Sequence, residues 1–339
     1  MDNLKEYYLK NIDRYVIVAK KIEDLIEDLI KNENIQILSV NSRVKDVNSF
    51  LEKAEKYKNP KTDIMDYIGI RIITYVLNDM EKISDIIRKE FNIDETNSKD
   101  KSEELGNNIM GYRSIHFIAT INNTRSTLAE YTICKDCVFE IQIRTIFQHS
   151  WAEIEHDKNY KYSGVLPKAI KRRLNILSAV LESVDNEFNT ISLEIDNYIN
   201  NVYVEINNNN LSNIELNSVS LKEYLLSKYP EYDLYKKPVD KESEIEIIHE
   251  LKSFGIISLK GIEDIMIHDY IVEILNPYYN TNVVGLFRIL MILGDSKKYF
   301  ENCFRNTWGG LSLKSRKIYE KFNPKILDII RSKGITIMN

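Results

Sequence analysis

The chain has 339 residues, of which 43% are hydrophobic and 29% charged, and its formal net charge is −5. These values are typical of a globular protein with room for two domains, so they exclude a wholly disordered chain and disfavour nucleic-acid binding by bulk positive charge. No apolar run approaches the roughly 18 residues of a membrane-spanning helix, so no membrane partner is expected.

Hydrophobic periodicity predicts helices and strands in alternation up to about residue 145. The polar stretch 92–111 has no periodicity and is predicted to be a mobile loop. The predicted helices are 4–31, 46–57 and 79–91, and the predicted strands are 35–44, 67–77, 113–121, 125–133 and 137–145. This order predicts an α/β (α+β) fold, in which a mixed sheet is flanked by helices.

Helical periodicity then continues from about residue 146 through 167–203. Residues 206–217 begin with an Asn-rich stretch of low complexity and are predicted to be a linker. Residues 218–339 contain five further segments with helical period. The sequence therefore predicts a first domain over 1–205 and a C-terminal helical domain of unassigned role.

The three cysteines bear on both chemistry and location. Cys134 and Cys137 have the spacing of half a zinc site, but no second pair of ligands lies at a suitable distance from them. Two neighbouring thiols are therefore the favoured interpretation. Three thiols without a signal peptide predict a cytoplasmic protein.

The strand at 140–145 has an unusual polar face. Ile141 and Ile143 face one side, whereas Glu140, Gln142 and Arg144 share the other. A half-buried strand with a polar, solvent-facing face is the ordinary explanation for such a pattern. The alternative is that the three polar side chains belong to a site to which other segments contribute.

Other charged residues lie where packing does not require them. Asp66 precedes a predicted strand, so it and Glu140 offer two carboxylates on neighbouring strands. Two hard oxygen ligands among several cations suit Mg²⁺ with a polyphosphate, and the chain lacks the glycine-rich motif of P-loop proteins. The remaining candidates are Arg43, Lys45, Lys53 and Arg71 near the first strands, and Tyr112, His116, His149, Lys158 and Lys161 after the loop.

Four segments together resemble the synthetase domain of the RelA/SpoT family, which makes the alarmones (p)ppGpp. They are "SRVK…SFLEK", "DYIGIRII", "GYRSIHF" and "EIQIRT…WAEIEHDKNYK", and the resemblance covers roughly 35–165. It implies a nucleotidyltransferase-like mixed sheet. It also implies transfer of the β,γ-pyrophosphate of ATP to the ribose 3′-OH of GDP or GTP.

The resemblance also implies a role for each candidate. Asp66 and Glu140 would bind Mg²⁺, Glu140 would lie near the acceptor hydroxyl as a base, and Tyr112 would stack on guanine. Trp151 is expected in the core, and Glu153 in a structural role. Arg43, Lys45, Lys53 and Arg71 would hold ATP, and His116, Gln142, Arg144, His149, Lys158 and Lys161 would contact the acceptor nucleotide.

The sequence leaves three readings open. The first is a GTP/GDP pyrophosphokinase. The second is a toxin-like relative that pyrophosphorylates the 3′ end of tRNA, for which the basic run 167–173 is a candidate track. The third is a non-catalytic module that senses nucleotides or binds a partner, which the presence of both Asp66 and Glu140 disfavours.

Some features depart from the family pattern. No hydrolase domain is recognisable, because His156-Asp157 lies inside the synthetase motif and His268-Asp269 has no other histidine ligands nearby. We therefore expect no alarmone hydrolysis. The family's frequent Lys before the Gly-Tyr-Arg motif is absent, which leaves the acceptor open. A homo-oligomer, and a regulator or antitoxin bound through the C-terminal domain, remain open as partners.

Overall fold

The structure is a computed structural model that describes residues 2–100, 114–161, 167–232, 234, 239–276, 281–305 and 308–338, with backbone only at 100, 155–161 and 231. The chain forms two compact units, Met1–Leu193 and Glu194–Asn339. In the described part of the chain, no helix combines the length and apolar character needed to cross a membrane.

A mixed sheet forms the centre of the first unit. Its strand order is β1-β2-β6-β5-β3, with β4 paired to β5; β2 and β6 are parallel, and the other pairs are antiparallel. The strands are β1 Ile37–Val44, β2 Ile68–Thr74, β3 Phe91–Ile93, β4 Lys99–Asp100, β5 Ile115–Ile121 and β6 Phe139–Thr145. The predicted mixed α/β fold is confirmed.

Helices flank this sheet. They are α1 Asp2–Asn32, α2 Val47–Ala54, α3 Pro60–Asp63, α4 Leu77–Glu90, α5 Asn123–Ser126, α6 Ile146–Lys161 and α7 Lys168–Asn207, of which α7 continues into the second unit. α1 and α4 contact the sheet, and Ile22 of α1 is fully buried in one cluster with Ile70, Ile141 and Ile143 of the strands. Burial of these isoleucines fixes which strand face points away from α1 and α4.

The strand predicted at 125–133 is wrong. The chain instead forms α5 and a 3₁₀ helix at Ala129–Cys134. Asn122 accepts a hydrogen bond from the Arg125 amide at 2.8 Å, which caps a helical turn. The loop predicted at 92–111 is wrong at its start, where β3 and β4 pair with β5, and its residues 101–111 lie outside the described residues. Strands of three and two residues are too short to show periodicity in sequence.

The second unit is mainly helical. Its helices are α8 Ser218–Lys228, α9 Lys241–Ser253, α10 Leu259–Ile265, α11 His268–Ile274, α12 Val283–Asn302, α13 Leu313–Phe322 and α14 Lys325–Ser332, and a short parallel pair joins β7 Gly310–Leu311 to β8 Thr336–Ile337. Glu250 is buried in this unit, where it accepts hydrogen bonds from Arg288 and Tyr299. The helical character predicted for 218–339 is confirmed.

The predicted linker lies inside the second unit. Leu211, Ile214 and Leu216 are buried in its core, and the division between the units falls between Leu193 and Glu194, within α7. Asn209, with φ of 61°, takes the left-handed conformation just after α7, which Asn tolerates. The Asn-rich stretch therefore ends a helix, while the domain limits stay a prediction until a truncation tests them.

Candidate active site

One carboxylate of the site is bound by two lysines. Asp66 Oδ2 lies 2.8 Å from Lys45 Nζ and 2.8 Å from Lys53 Nζ. Lys45 follows β1 and is fixed by the hydrogen bond from its amide to the Tyr67 carbonyl, at 3.0 Å. Lys53 projects from α2, whose first turn is capped by Asp46. Three predicted site residues from three segments thus meet at one point.

The second carboxylate oxygen of Asp66 is in a different situation. Its Oδ1 is buried and has no hydrogen-bond partner among the residues that the structure describes. A buried carboxylate oxygen without a partner is costly, so it indicates a ligand beyond the described residues.

The second carboxylate, Glu140, is held by both of its oxygens. His116 Nδ1 lies 2.8 Å from Oε1, and Gln142 Nε2 donates to Oε2 at 2.7 Å. Burial alone would raise the pKa of Glu140, but the hydrogen bond and the charge of His116, the hydrogen bond from Gln142 and the charge of Lys53 lower this pKa to about 2. Glu140 is therefore ionised at neutral pH, and Lys53 is a cation shared by both carboxylates.

Strand register places the other predicted residues on the same face. In the parallel pair, Gly69 lies opposite Glu140 and Arg71 opposite Gln142. A Cβ atom at Gly69 would lie 3.5 Å from Arg43 Nε, so the Arg43 side chain crosses β2 over this glycine. The face opposite the isoleucine core therefore carries Arg43, Arg71, Glu140 and Gln142 side by side.

A second cluster lies between β2 and α6. Arg71 Nη1 is 2.9 Å from Glu153 Oε1, and His149 Nδ1 is 3.7 Å from the same oxygen. Burial, together with the charges of Arg71 and Arg144, lowers the pKa of His149. The charge of Glu153 acts in the opposite direction but does not outweigh them. Arg144 is itself buried on β6. His149 is thus biased toward its neutral form.

Comparison with known proteins decides the family. A family model described as a region found in RelA / SpoT proteins matches residues 42–165. The chain is also 32% identical over 193 residues to GTP pyrophosphokinase YjbM of Bacillus subtilis, covering 56% of this chain and 86% of that protein. The chain belongs to the RelA/SpoT family.

The chain is also similar to a second pyrophosphokinase and to a solved structure. GTP pyrophosphokinase YwaC of Bacillus subtilis is 29% identical over 160 residues, which are 45% of this chain and 73% of that protein. The crystal structure of small alarmone synthetase 1 from Bacillus subtilis is 28% identical, with a TM-score of 0.48, and covers 57% of this chain and 99% of that one.

The RelA/SpoT region spans every site residue that the sequence predicted, from Arg43 to Lys161. Tyr112 lies outside the described residues, and so do the side chains of Lys158 and Lys161 on α6. Trp151 is 7% exposed, in agreement with its expected core position. Cys134 and Cys137 are buried, and burial raises the pKa of both thiols, which does not suit a zinc ligand.

Sequence reasoning missed two residues that support this RelA/SpoT site. Ser114 Oγ lies 2.9 Å from His116 Nε2, and Asp185 of α7 accepts a hydrogen bond from Thr145 at the end of β6, at 2.7 Å. Ser114 stands in the quoted motif "GYRSIHF", so its proximity to His116 was a usable signal. Asp185 is 40 residues from Thr145 in the chain, and no sequence pattern connects the two.

Proposed function

We propose that this protein is a GTP pyrophosphokinase that makes (p)ppGpp. It transfers the β,γ-pyrophosphate of ATP to the 3′-OH of GDP or GTP. The observation that carries the proposal is the arrangement of Asp66 and Glu140, two carboxylates that share the Lys53 cation in the region matched by the RelA/SpoT family. The GTP pyrophosphokinase names of its relatives support the same conclusion.

The donor nucleotide occupies the cationic part of the site. Lys45 and Lys53, already gathered at Asp66, neutralise the charge of the ATP phosphates, and Arg43 and Arg71 lie on the adjacent strands. Such fixed cations stabilise the negative charge that develops on the oxygens during phosphoryl transfer.

The residues present fit a magnesium ion. Mg²⁺ is usually bound by one or two carboxylates together with substrate phosphates and waters, and Asp66 Oδ1 is a buried oxygen with no partner in the described part of the chain. Asp66 and Glu140 would hold it. When bound, the ion would neutralise phosphate charge and help to orient the polyphosphate.

Glu140 positions the acceptor hydroxyl. Its pKa of about 2 keeps it ionised, so it accepts a hydrogen bond from the ribose 3′-OH. The 3′-oxygen attacks the β-phosphorus of ATP, the bond from this phosphorus to the bridging oxygen of AMP breaks, and AMP leaves. The hydroxyl proton passes to Glu140 as the new bond forms, because the acidity of this oxygen rises sharply at that stage.

Seven residues surround the acceptor in this proposal. His116 and Gln142 act at least in part by holding Glu140 in place, since each lies within hydrogen-bond distance of one of its oxygens. Arg144 and His149 lie near Arg71 at the other end of the same face. Tyr112, Lys158 and Lys161 complete the set that the resemblance implies.

The experiment follows label from [γ-³²P]ATP in the presence of Mg²⁺ and either GDP, GTP or bulk tRNA. We expect label in ppGpp or pppGpp and release of one AMP for each product formed. Label that remains in ATP or appears only as inorganic phosphate, with every acceptor, would refute the proposal.

Transfer to tRNA is a second candidate, favoured by one surface feature. Lys168, Lys171, Arg172 and Arg173 are all exposed in the first turns of α7. Such a patch binds phosphate backbones in a salt-dependent way. In the same experiment, label in tRNA that disappears when its 3′ end is oxidised with periodate would support this alternative over the main proposal.

A further inference from the structure

A chain of side-chain hydrogen bonds runs from a buried serine to Glu140. Ser114 Oγ lies 2.9 Å from His116 Nε2, and His116 Nδ1 lies 2.8 Å from Glu140 Oε1. The other oxygen of Glu140 accepts from Gln142. Both ring nitrogens of His116 therefore have protein partners, and the imidazole joins Ser114 to the carboxylate.

Each member of this chain is shielded from solvent. Ser114 is 1% exposed, and the side chains of His116 and Glu140 are 12% and 16% exposed. His116 pairs with Gln142 across the β5–β6 ladder, so main-chain pairing fixes where the ring begins. The ring can still rotate about its side-chain torsions, and the contact at Nε2 is what restrains that rotation at its far end.

Ser114 is too deeply buried to attack a substrate. Its hydroxyl can donate to a neutral Nε2 or accept from a protonated one, because a serine hydroxyl has both capacities. In either state, Nδ1 remains directed at Glu140. The second partner of a histidine commonly determines how its ring is oriented toward the group on which it acts.

We propose that Ser114 is a positioning residue for pyrophosphate transfer. It acts through His116, whose ring it orients, and so keeps Glu140 directed at the acceptor hydroxyl. This inference rests on the proposed function for its kinetic consequence, whereas the orientation of His116 by Ser114 is independent of that function.

The first test compares Ser114→Ala with a matched serine. Ser84 is also buried, at 8% exposure, but its hydroxyl donates to the Met80 carbonyl within α4. Ser114→Ala should lower kcat by about tenfold and leave KM for ATP and for the acceptor within about twofold of wild type. Ser84→Ala should leave kcat unchanged. Equal effects of the two substitutions would overturn the proposal.

Two further variants of Ser114 test whether the loss of kcat comes from the missing hydroxyl or from a disturbed fold. Ser114→Thr retains the hydroxyl and should recover most of the lost kcat. If Ser114→Ala does not fold, Ser114→Cys, which keeps a side chain of similar size with a weaker donor, takes its place in every comparison. A Thr variant as slow as the Ala variant, with unchanged melting temperature, would count against the proposal.

A double-mutant cycle tests whether Ser114 acts through His116. In a His116→Ala background, Ser114→Ala should cause no further loss of kcat, because the imidazole that connects Ser114 to Glu140 is gone. Fully additive losses would show that Ser114 acts elsewhere.

A spectroscopic measurement separates this inference from the proposed function. The chain has five histidines, so ring ¹⁵N signals can be assigned by substitution. At one fixed pH, the ring signals of His116 should shift in Ser114→Ala and stay in place in Ser84→Ala. If wild-type protein transfers no pyrophosphate, the proposed function fails, yet these spectra still decide whether Ser114 orients the His116 ring. Unchanged His116 signals in Ser114→Ala would overturn the proposal that Ser114 orients this ring.

Discussion

Arg71 on β2 and Glu153 on α6 form an ion pair in which Arg71 Nη1 lies 2.9 Å from Glu153 Oε1. Arg71 is proposed to hold ATP, so a carboxylate already neutralises one cation of the donor site. The Glu153 side chain is 56% exposed, whereas that of Arg71 is 25% exposed. The acid can therefore turn into solvent when a phosphate takes its place.

Glu153→Gln should strengthen ATP binding. The substitution removes a charge that competes with phosphate for Arg71. KM for ATP should fall by at most about fivefold, because a half-exposed ion pair is weak. Steady-state kinetics at varied ATP measure it. Glu95→Gln, which removes the partner of Arg88 in another exposed pair, is the matched control. A raised KM for ATP in Glu153→Gln would show that Glu153 orients Arg71 instead.

Asp66→Asn and Glu140→Gln should each lower pyrophosphate transfer by at least about 100-fold. Both substitutions keep the size of the side chain but replace one accepting oxygen with a donating amide group, and they remove the charge that pairs with the lysines and would bind the proposed Mg²⁺. Rates are measured at saturating Mg²⁺, with circular dichroism to confirm folding. Near-native transfer by either folded variant would remove that residue from the proposed mechanism.

Glu140 should also make stability depend on pH in acid. Its pKa is about 2 in the folded protein against an ordinary value of 4.5, so the ionised form is favoured in the folded state. This contribution is fully present above pH 4.5 and is lost as pH falls through about 2. The difference in unfolding free energy between wild type and Glu140→Gln should therefore shrink as pH falls from 4.5 toward 2.

Denaturant unfolding at a series of pH values measures this difference. Glu27→Gln removes an exposed carboxylate from α1 and controls for the loss of one negative charge. A difference that stays constant down to pH 2 would contradict the pKa assigned to Glu140.

Tyr112→Ala should weaken acceptor binding without unfolding the protein. A stacked base contributes about 1–3 kcal/mol, so KM for GDP or GTP should rise by at least about fivefold. Tyr67→Ala serves as a contrast, because the Tyr67 ring is buried among Tyr8, Tyr15 and Phe50. Removal of this ring should lower the melting temperature. A large loss of stability in Tyr112→Ala with unaltered KM would assign Tyr112 to packing.

A chain that ends at Leu193 should fold and retain transfer to guanine nucleotide. Every proposed site residue lies at or before Lys161, and the hydrogen bond from Thr145 to Asp185 ties the part of α7 before Leu193 to β6. A chain that ends at Asn207 should be less soluble, because Val202 and Ile206 belong to the core of the second unit. Activity assays and size-exclusion chromatography compare the two. A folded but inactive 1–193 chain would show that the second unit completes the site.

Long periodic segments were predictable because their burial pattern is local. The spacing of apolar residues predicted a helix at 4–31 and a strand at 67–77, and these correspond to α1 and β2. The strand prediction at 125–133 was wrong for the opposite reason, because non-local contacts decide the structure there. β-like composition there is overridden by the Asn122 cap and by β3 and β4, which take the pairing positions along β5.

The sequence alone determined that Glu140, Gln142 and Arg144 share one strand face, because side chains alternate along any β-strand. It also identified Asp66, Lys45 and Lys53 as candidates. Only the tertiary structure decided that both lysines bind the same oxygen of Asp66, and that Ser114, His116 and Glu140 form one hydrogen-bonded chain. Alternation is a property of the backbone, whereas these contacts depend on which strands pair and in which register, and segments distant in sequence set that register.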